Sequence, residues 1–84
     1  MKEVKVSLIT PSFPLIGRII DEDDIRYLEV DDNSLATMVM SKVNQGTQLE
    51  IYINGDNDGH YIYIAKSDGM ILFAKGDIEK IMRK

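Results

Sequence analysis

The chain has 84 residues, with 14 acidic and 10 basic side chains, a net charge of −4 and no cysteine. This length fits one domain, residues 1–84, and the absence of cysteine excludes disulfides and thiolate metal sites. The negative charge argues against generic nucleic-acid binding, which depends on Lys and Arg. A chain this short buries only about 60–65% of its unfolded surface, so we expect further burial between subunits.

The sequence contains no segment that is typical of secretion or of membrane insertion. Its first residues alternate between polar and apolar side chains and lack the apolar run of a signal peptide. No apolar run approaches the roughly 20 residues that a membrane-spanning helix needs. We therefore expect a soluble, cytoplasmic protein without a membrane partner.

The charge is distributed unevenly along the chain. Residues 21–32 contain seven acidic side chains and one base, Arg26, which gives a net charge of −6. The last ten residues contain four bases and two acids, which gives a net charge of +2. This asymmetry allows a local basic site on an acidic body, or head-to-tail attraction between subunits.

Apolar residues that alternate with a period of two predict strands along most of the chain. The predicted strands are residues 4–8, 15–20, 25–30, 49–53, 61–64 and 70–74. Pro11 and Pro14 mark the first connection, because proline cannot join the interior of a strand ladder. The isolated Gly17 in the second strand indicates a sharp bend or a close approach of the backbone.

The middle of the chain is harder to assign. Residues 35–43 combine Ala and Met, which favour helix, with Thr and Val, which favour strand. We predict a strand there, because no stripe with a 3.6-residue period is visible, and the structure of residues 33–46 is left open. Residues 49–53 and 61–64 flank NGDNDGH, which predicts a hairpin with a longer loop.

The stretch Met70–Ile81 joins an apolar strand to a second short apolar segment through Lys75-Gly76-Asp77. We predict a sharp strand-to-strand reversal here, with Gly76 in a conformation that a residue with a Cβ resists. A second informative stretch, Leu15–Val30, contains a glycine-interrupted apolar strand, an acidic turn and an alternating strand. A meander of such strands predicts a small barrel, since an open sheet exposes its edges.

These two stretches together resemble the two motifs of the Sm/LSm family of small RNA-associated β-barrels. Gly17 and Asp23 fall on the glycine and the loop aspartate of the first motif. Lys75-Gly76 stands where the second motif has Arg-Gly. The middle, about residues 33–66, is not covered and is interpreted as an enlarged central hairpin. An acidic version without the family's N-terminal helix suits a phage or environmental relative.

The resemblance implies an all-β fold, a small and strongly bent five-stranded barrel. Its edge strands would pair between subunits and close a homo-oligomeric ring of about five to eight copies. Such a ring removes exposed strand edges and adds apolar burial between subunits.

The resemblance also implies a site for single-stranded, uridine-rich RNA at the inner rim of the ring. The residues at or beside the RNA-contacting positions are Asp23, Arg26, Tyr27, Lys75, Gly76 and Asp77. Arg26 occupies a stacking position, Tyr27 replaces an asparagine, and Lys75 replaces an arginine. Tyr27 lacks the paired donor and acceptor of an amide, and Lys75 lacks the planar fork of a guanidinium. These changes affect uridine specificity more than they affect the fold.

Three other patterns could carry metal or catalytic chemistry. Asp21–Asp24 could bind Ca²⁺ or Mg²⁺, although such an acidic turn is more often only solvated. Asn54–Gly59 imitates the start of a calcium loop, but Ala65 stands where that loop needs a glutamate. His60 is the single histidine, so zinc sites and His-based catalytic groups are not supported. We predict no metal, no cofactor and no catalytic site.

Aromatic and Met side chains offer a further interpretation of the central strands. Tyr61 and Tyr63 share one strand face, with Ile62 on the other. Such a pair can stack single-stranded bases, but cross-strand packing or an interface anchor is the preferred interpretation. Met38 and Met40 likewise predict core or interface filler.

We expect a non-catalytic, ring-forming Sm-like protein that binds RNA or scaffolds RNA-handling proteins as part of a ribonucleoprotein. The alternative is a structural or protein-interaction ring, such as a phage component, that has lost RNA binding. A third hypothesis is a monomeric, barrel-like binding module of another family. An enzyme is the least favoured of the four.

Overall fold

The computed structural model describes residues 2–82, which form six strands and two short helices. The elements are β1 (Lys2–Leu8), β2 (Leu15–Glu22), β3 (Ile25–Asp31), α1 (Ser34–Met40), β4 (Gln48–Ile53), β5 (Asp56–Ser67), β6 (Met70–Lys75) and α2 (Ile78–Met82). The all-β prediction is confirmed, with about 58% strand and 13% helix. Neither helix in the described part of the chain is long and apolar enough to cross a membrane.

The strands close into one antiparallel barrel in the order β1-β2-β3-β6-β5-β4. Two three-stranded units, β1–β2–β3 and β4–β5–β6, meet at two seams. The β3–β6 seam contains six residue pairs, whereas the β1–β4 seam contains only three. Asn54 extends the short seam, because its side-chain oxygen accepts from the Lys5 amide at 3.0 Å and its own amide donates to Lys5 O at 2.8 Å.

The closure of the barrel bears on the expected ring. Residues 2–82 supply six strands to the barrel instead of the five expected, and each described strand has two hydrogen-bonded neighbours. No described strand lies at an open sheet edge, although residues 2–4 of β1 extend beyond the pairing with β4 and residues 56–61 of β5 extend beyond the pairing with β6. The ring of about five to eight copies therefore stays a prediction.

Three hairpins of the barrel turn on two residues that both have positive φ. These turn pairs are Asp23-Asp24, Asn54-Gly55 and Asp68-Gly69. Asn, Asp and Gly tolerate this region, and turns of this kind match the twist of the flanking strands. The predicted longer loop is therefore wrong, because Asn54-Gly55 is the whole turn and residues 56–60 begin β5.

The prediction of a strand over residues 35–43 is also wrong, because helix α1 forms there. The Asn33 side chain caps this helix by accepting two backbone N–H groups of the first turn, both at 3.0 Å. Ala36 and Met40, four residues apart, are buried against the barrel core. Two turns of helix are too short for the apolar stripe to be recognised by period alone.

The main core fills the barrel interior. Its largest fully buried side chains are Val6, Leu28, Val30, Ile51, Tyr61, Ile71 and Phe73. Tyr63 shares this interior with Tyr61, and its ring centroid lies 5.8 Å from that of Phe73. Ile62 belongs to a second cluster with Ile81 of α2, on the opposite face of the strand. The predicted alternation of Tyr61 and Tyr63 with Ile62 is confirmed.

Helix α2 replaces the predicted second arm of the reversal after Gly76. The Asp77 side chain caps it by accepting the Glu79 amide at 3.0 Å and the Lys80 amide at 3.4 Å. Ile81 then packs on the outer face of the barrel. Two of the basic residues that make the C-terminal end positive, at positions 83 and 84, lie outside the described residues.

Candidate functional site

The barrel has two ends of different chemistry. The charged end comprises Asp21–Arg26, Asp58, Tyr61, Lys75 and Gly76. The apolar end comprises residues 8–15 together with Leu35, Met38 and Val39 of α1. Strand β2 connects the two, because it begins at the apolar end with Leu15 and finishes at the charged end with Glu22.

At the charged end, Arg26 and Lys75 are direct partners across the β3–β6 seam. The Asp58 carboxylate lies between them, 3.5 Å from Arg26 Nη1 and 3.8 Å from Lys75 Nζ. Tyr61 donates its hydroxyl to the same carboxylate, and Lys75 Nζ lies 5.6 Å from the centre of the Tyr61 ring. Arg26 also pairs with Asp21 at 2.9 Å. Both cations are thus engaged by carboxylates of their own chain.

The protonation of this cluster follows from burial and hydrogen bonding. Burial raises the pKa of the Tyr61 hydroxyl, and the hydrogen bond to Asp58 raises it further. The hydrogen bond to Asp21 raises the pKa of Arg26 above its already high ordinary value. Tyr61 is therefore a neutral donor, and Arg26 a permanent cation, over the physiological pH range.

An open groove of about 640 Å³ lies beside the cluster. It brings together four of the residues at the RNA positions, Asp23, Arg26, Lys75 and Gly76. Its described lining contains four acids and two bases, so its formal charge is negative. A negative groove whose cations already have carboxylate partners is unfavourable for a phosphate backbone.

The structure separates the other two residues of the RNA positions from this groove. Tyr27 follows Arg26 in β3 and so faces the other side of the sheet, where it packs against the outer cluster around Ile25 and Ile81. Asp77 caps α2 through its carboxylate. The packing of Tyr27 and the helix cap formed by Asp77 give both residues a structural role in the fold.

Two glycines lie where a Cβ would collide with neighbouring atoms. The sequence predicts a sharp bend or a close backbone approach at Gly17 and a conformation that a Cβ resists at Gly76. Gly76 has a φ of +145°, and a Cβ there would lie 2.7 Å from Asp24 O and 3.2 Å from Ile25 Cα. A Cβ at Gly17 would lie 2.5 Å from Val6 Cγ2 inside the barrel. Gly76 therefore lets β6 end directly against the β2–β3 turn.

The metal hypotheses gain no geometric support. No group of three or more His, Cys, Asp or Glu side chains within residues 2–82 is placed to hold an ion. Asp23 and Asp24 form a turn at φ values of +51° and +64°, which accounts for short acidic side chains there. His60 is exposed and lies opposite Glu50 in the β4–β5 pair.

The apolar end contains a groove of about 300 Å³ between the β1–β2 loop and α1. The described residues that line it include no charged side chain. Phe13 is 66% exposed and Met38 is 65% exposed, and Ile9 is 47% exposed beside them. Met40 is buried in the core, which is one of the two roles predicted for these methionines. Met38 is exposed, so only the predicted interface role remains open for it.

The loop of the apolar end is also strained. Ile9 and Phe13 have φ values of +73° and +59°, a region that β-branched and bulky residues rarely occupy. The Thr10 amide donates to Leu8 O at 2.8 Å, which closes a tight three-residue turn around Ile9. The sequence predicts only a connection here, because Pro11 and Pro14 mark an end of pairing but not a positive φ at their neighbours.

Comparisons with protein-family models, with curated proteins and with solved structures found no significant match to this chain. The Sm-like resemblance therefore stays a prediction from the two sequence motifs.

Proposed function

We propose that this protein is a non-catalytic binding module that holds an apolar segment of a protein partner at its apolar end. One observation carries the proposal. A strained loop displays Ile9 and Phe13 beside an uncharged groove. Strain of this kind costs about 1–3 kcal/mol per residue and is typically retained where it positions side chains for function.

The composition of the apolar end supports a protein partner. Charged residues make up 29% of the chain, yet none is found among the described residues that line this groove. Phe13 and Met38 project at its rim and cost little to desolvate, because neither carries a charge. Aromatic and Met side chains around an apolar pocket are typical anchors of protein–protein interfaces.

A second candidate function is RNA binding at the charged end. Its support is the groove that unites Arg26 and Lys75 with Asp23 and Gly76, as the Sm-like motifs predict. The pairing of both cations with Asp58 weighs against it. Oligouridine binding across a salt series tests this candidate. Affinity at low salt that falls with Lys75→Ala would support it, and no affinity at low salt would exclude it.

Peptide selection on the immobilised protein tests the leading proposal. We expect selected peptides to carry apolar anchor residues, and we expect Phe13→Ser and Met38→Ser to weaken their binding at least about tenfold. Lys42→Ser, an exposed change just after α1, is the matched control and should leave binding unchanged. Equal binding by all variants, or no selected peptide, would contradict the proposal.

A further inference from the structure

We propose that the apolar end takes a second copy of this chain as its partner, with the Phe13 side chain of each protomer seated in the groove of the other. This inference rests on the proposed function and names its partner. The two copies would be related by a two-fold axis through the apolar ends. The contact would use side chains of the apolar end, since each described strand is already hydrogen-bonded to two others.

The first support is a projection and a recess on the same face. A two-fold interface needs a patch that complements itself. Phe13 lines one side of the groove of about 300 Å³ and projects from its rim with 66% of its surface exposed. A recess of this size accepts a single large side chain more readily than a whole folded element. Each protomer therefore offers both halves of the contact.

The second support is the distribution of charge. The chain carries a net charge of −4, so two copies repel one another on average. The acidic tetrad Asp21–Asp24 lies at the charged end, and the lining of the other groove has no charged member among the described residues. Contact through the apolar ends keeps the two acidic turns at the outer ends of the dimer. No other pairing of the ends separates them as far.

The third support is the need for burial. An 84-residue domain leaves much of its surface exposed, and a closed barrel cannot reduce that exposure by adding a strand. Among the large apolar side chains that the structure describes, Phe13 and Met38 are the most exposed, at 66% and 65%. Burying a whole aromatic side chain removes about 150–250 Å² from water. The groove is small beside a standard interface, so we expect a dimer that dissociates on dilution.

Sedimentation of the full chain over a concentration series tests the stoichiometry. We expect a monomer–dimer equilibrium that Phe13→Ser weakens at least about tenfold and Lys42→Ser leaves unchanged, with circular dichroism showing that both variants are folded. A wild-type chain that stays monomeric would overturn the inference. So would a larger assembly that Phe13→Ser does not affect.

Cysteine cross-linking tests the geometry, and the absence of natural cysteine makes each introduced thiol unique. Ser12→Cys places a thiol in the groove loop, and Glu22→Cys places one at the charged end. We expect a covalent dimer from a short thiol-reactive cross-linker with Ser12→Cys only. Cross-linking through Glu22→Cys, or through neither, would overturn the two-fold arrangement.

The selected peptides separate this inference from the proposed function. A monomer that still binds them through Phe13 would overturn the second copy as partner and leave the binding module intact. A monomer that binds none would overturn both. A dimer from which the peptides displace one protomer would support both.

Discussion

The two ends of this barrel are connected by the same strands, but they differ in whether their side chains have partners within the chain. At the charged end, Asp58 pairs with Arg26 and Lys75 and accepts the hydroxyl of Tyr61. At the apolar end, Phe13 remains 66% exposed on a strained backbone. The charged residues that are most conspicuous in the sequence are therefore paired with one another, whereas the apolar side chains of Ile9 and Phe13, in an uncharged loop, remain exposed in the described part of the chain.

The largest expected effect is at the charged end, where Gly76→Ala should destabilise the fold by about 3 kcal/mol. The reason is twofold, because the new Cβ would lie 2.7 Å from Asp24 O and the backbone φ is +145°. Urea unfolding at neutral pH measures the change.

Gly69→Ala is the control for that substitution. Gly69 also has a positive φ, of +75°, but nothing lies within 4 Å of its would-be Cβ. We expect Gly69→Ala to lower the free energy of unfolding by about 1 kcal/mol, because only the positive φ, and no steric contact, disfavours alanine there. Equal costs for the two variants would show that the approach of Gly76 to the β2–β3 turn does not constrain the structure.

The next effect tests whether Asp58 satisfies the charged end. Asp58→Ala removes the shared partner of Arg26, Lys75 and Tyr61, and we expect a loss of about 1–2 kcal/mol, limited by the partial exposure of the cluster. Asp56→Ala, an exposed change at the start of the same strand, should stay within about 0.5 kcal/mol of wild type. If Asp58→Ala had an equally small effect, the contacts of Asp58 with Arg26, Lys75 and Tyr61 would not contribute to the free energy of unfolding.

A smaller effect concerns alkaline pH. Burial and Asp58 raise the pKa of Tyr61 in the folded protein, so folding favours the protonated phenol. This contribution is complete below the unfolded tyrosine pKa of about 10, and it is lost as the pH rises above that value. The urea midpoint should therefore fall less steeply with alkaline pH in Tyr61→Phe than in wild type. An identical pH dependence in both proteins would show that the ionisation of Tyr61 does not contribute to stability at alkaline pH.

The smallest effect is expected at the apolar end. Phe13→Gly removes an exposed side chain and gives the positive φ of +59° to a residue that accepts it. The free energy of unfolding should change by no more than about 0.5 kcal/mol. A large loss in dilute protein, where self-association is absent, would mean that Phe13 stabilises the monomer instead of serving an interface.

The local strand pattern was predictable from sequence, and the tertiary contacts were not. Period-two alternation located all six barrel strands. The close approach expected as one alternative at Gly17 and the unusual backbone conformation expected at Gly76 are both confirmed. Helix α1 was missed because its seven residues present only two buried side chains, although Asn33 was an available capping residue. The Asn54-Gly55 pair similarly marked a two-residue turn that the wider polar run obscured.

The candidate sites were predictable only in part. The two motifs brought Arg26 and Lys75 to one groove, but their partner Asp58 is 32 residues from Arg26 in sequence. Its position depends on the irregular pairing of β4 with β5 between Glu50 and Tyr52. Gly59, with a φ of +93°, is the sequence signal for this bulge, and the interpretation of residues 54–60 as a loop passed over it. Neither Ile nor Phe favours a positive φ, so the residue types at positions 9 and 13 give no sequence signal for the strain observed there.

The most direct test of the contrast between the two ends is a dilution series followed by amide NMR of the full chain. We predict that the amide resonances of the non-proline residues in 9–16 and of residues 35–39 shift with concentration, while those of Arg26, Asp58, Tyr61 and Lys75 stay constant. Shifts that centre on the charged end, or a spectrum that is unchanged over a roughly hundredfold dilution into the micromolar range, would contradict the account.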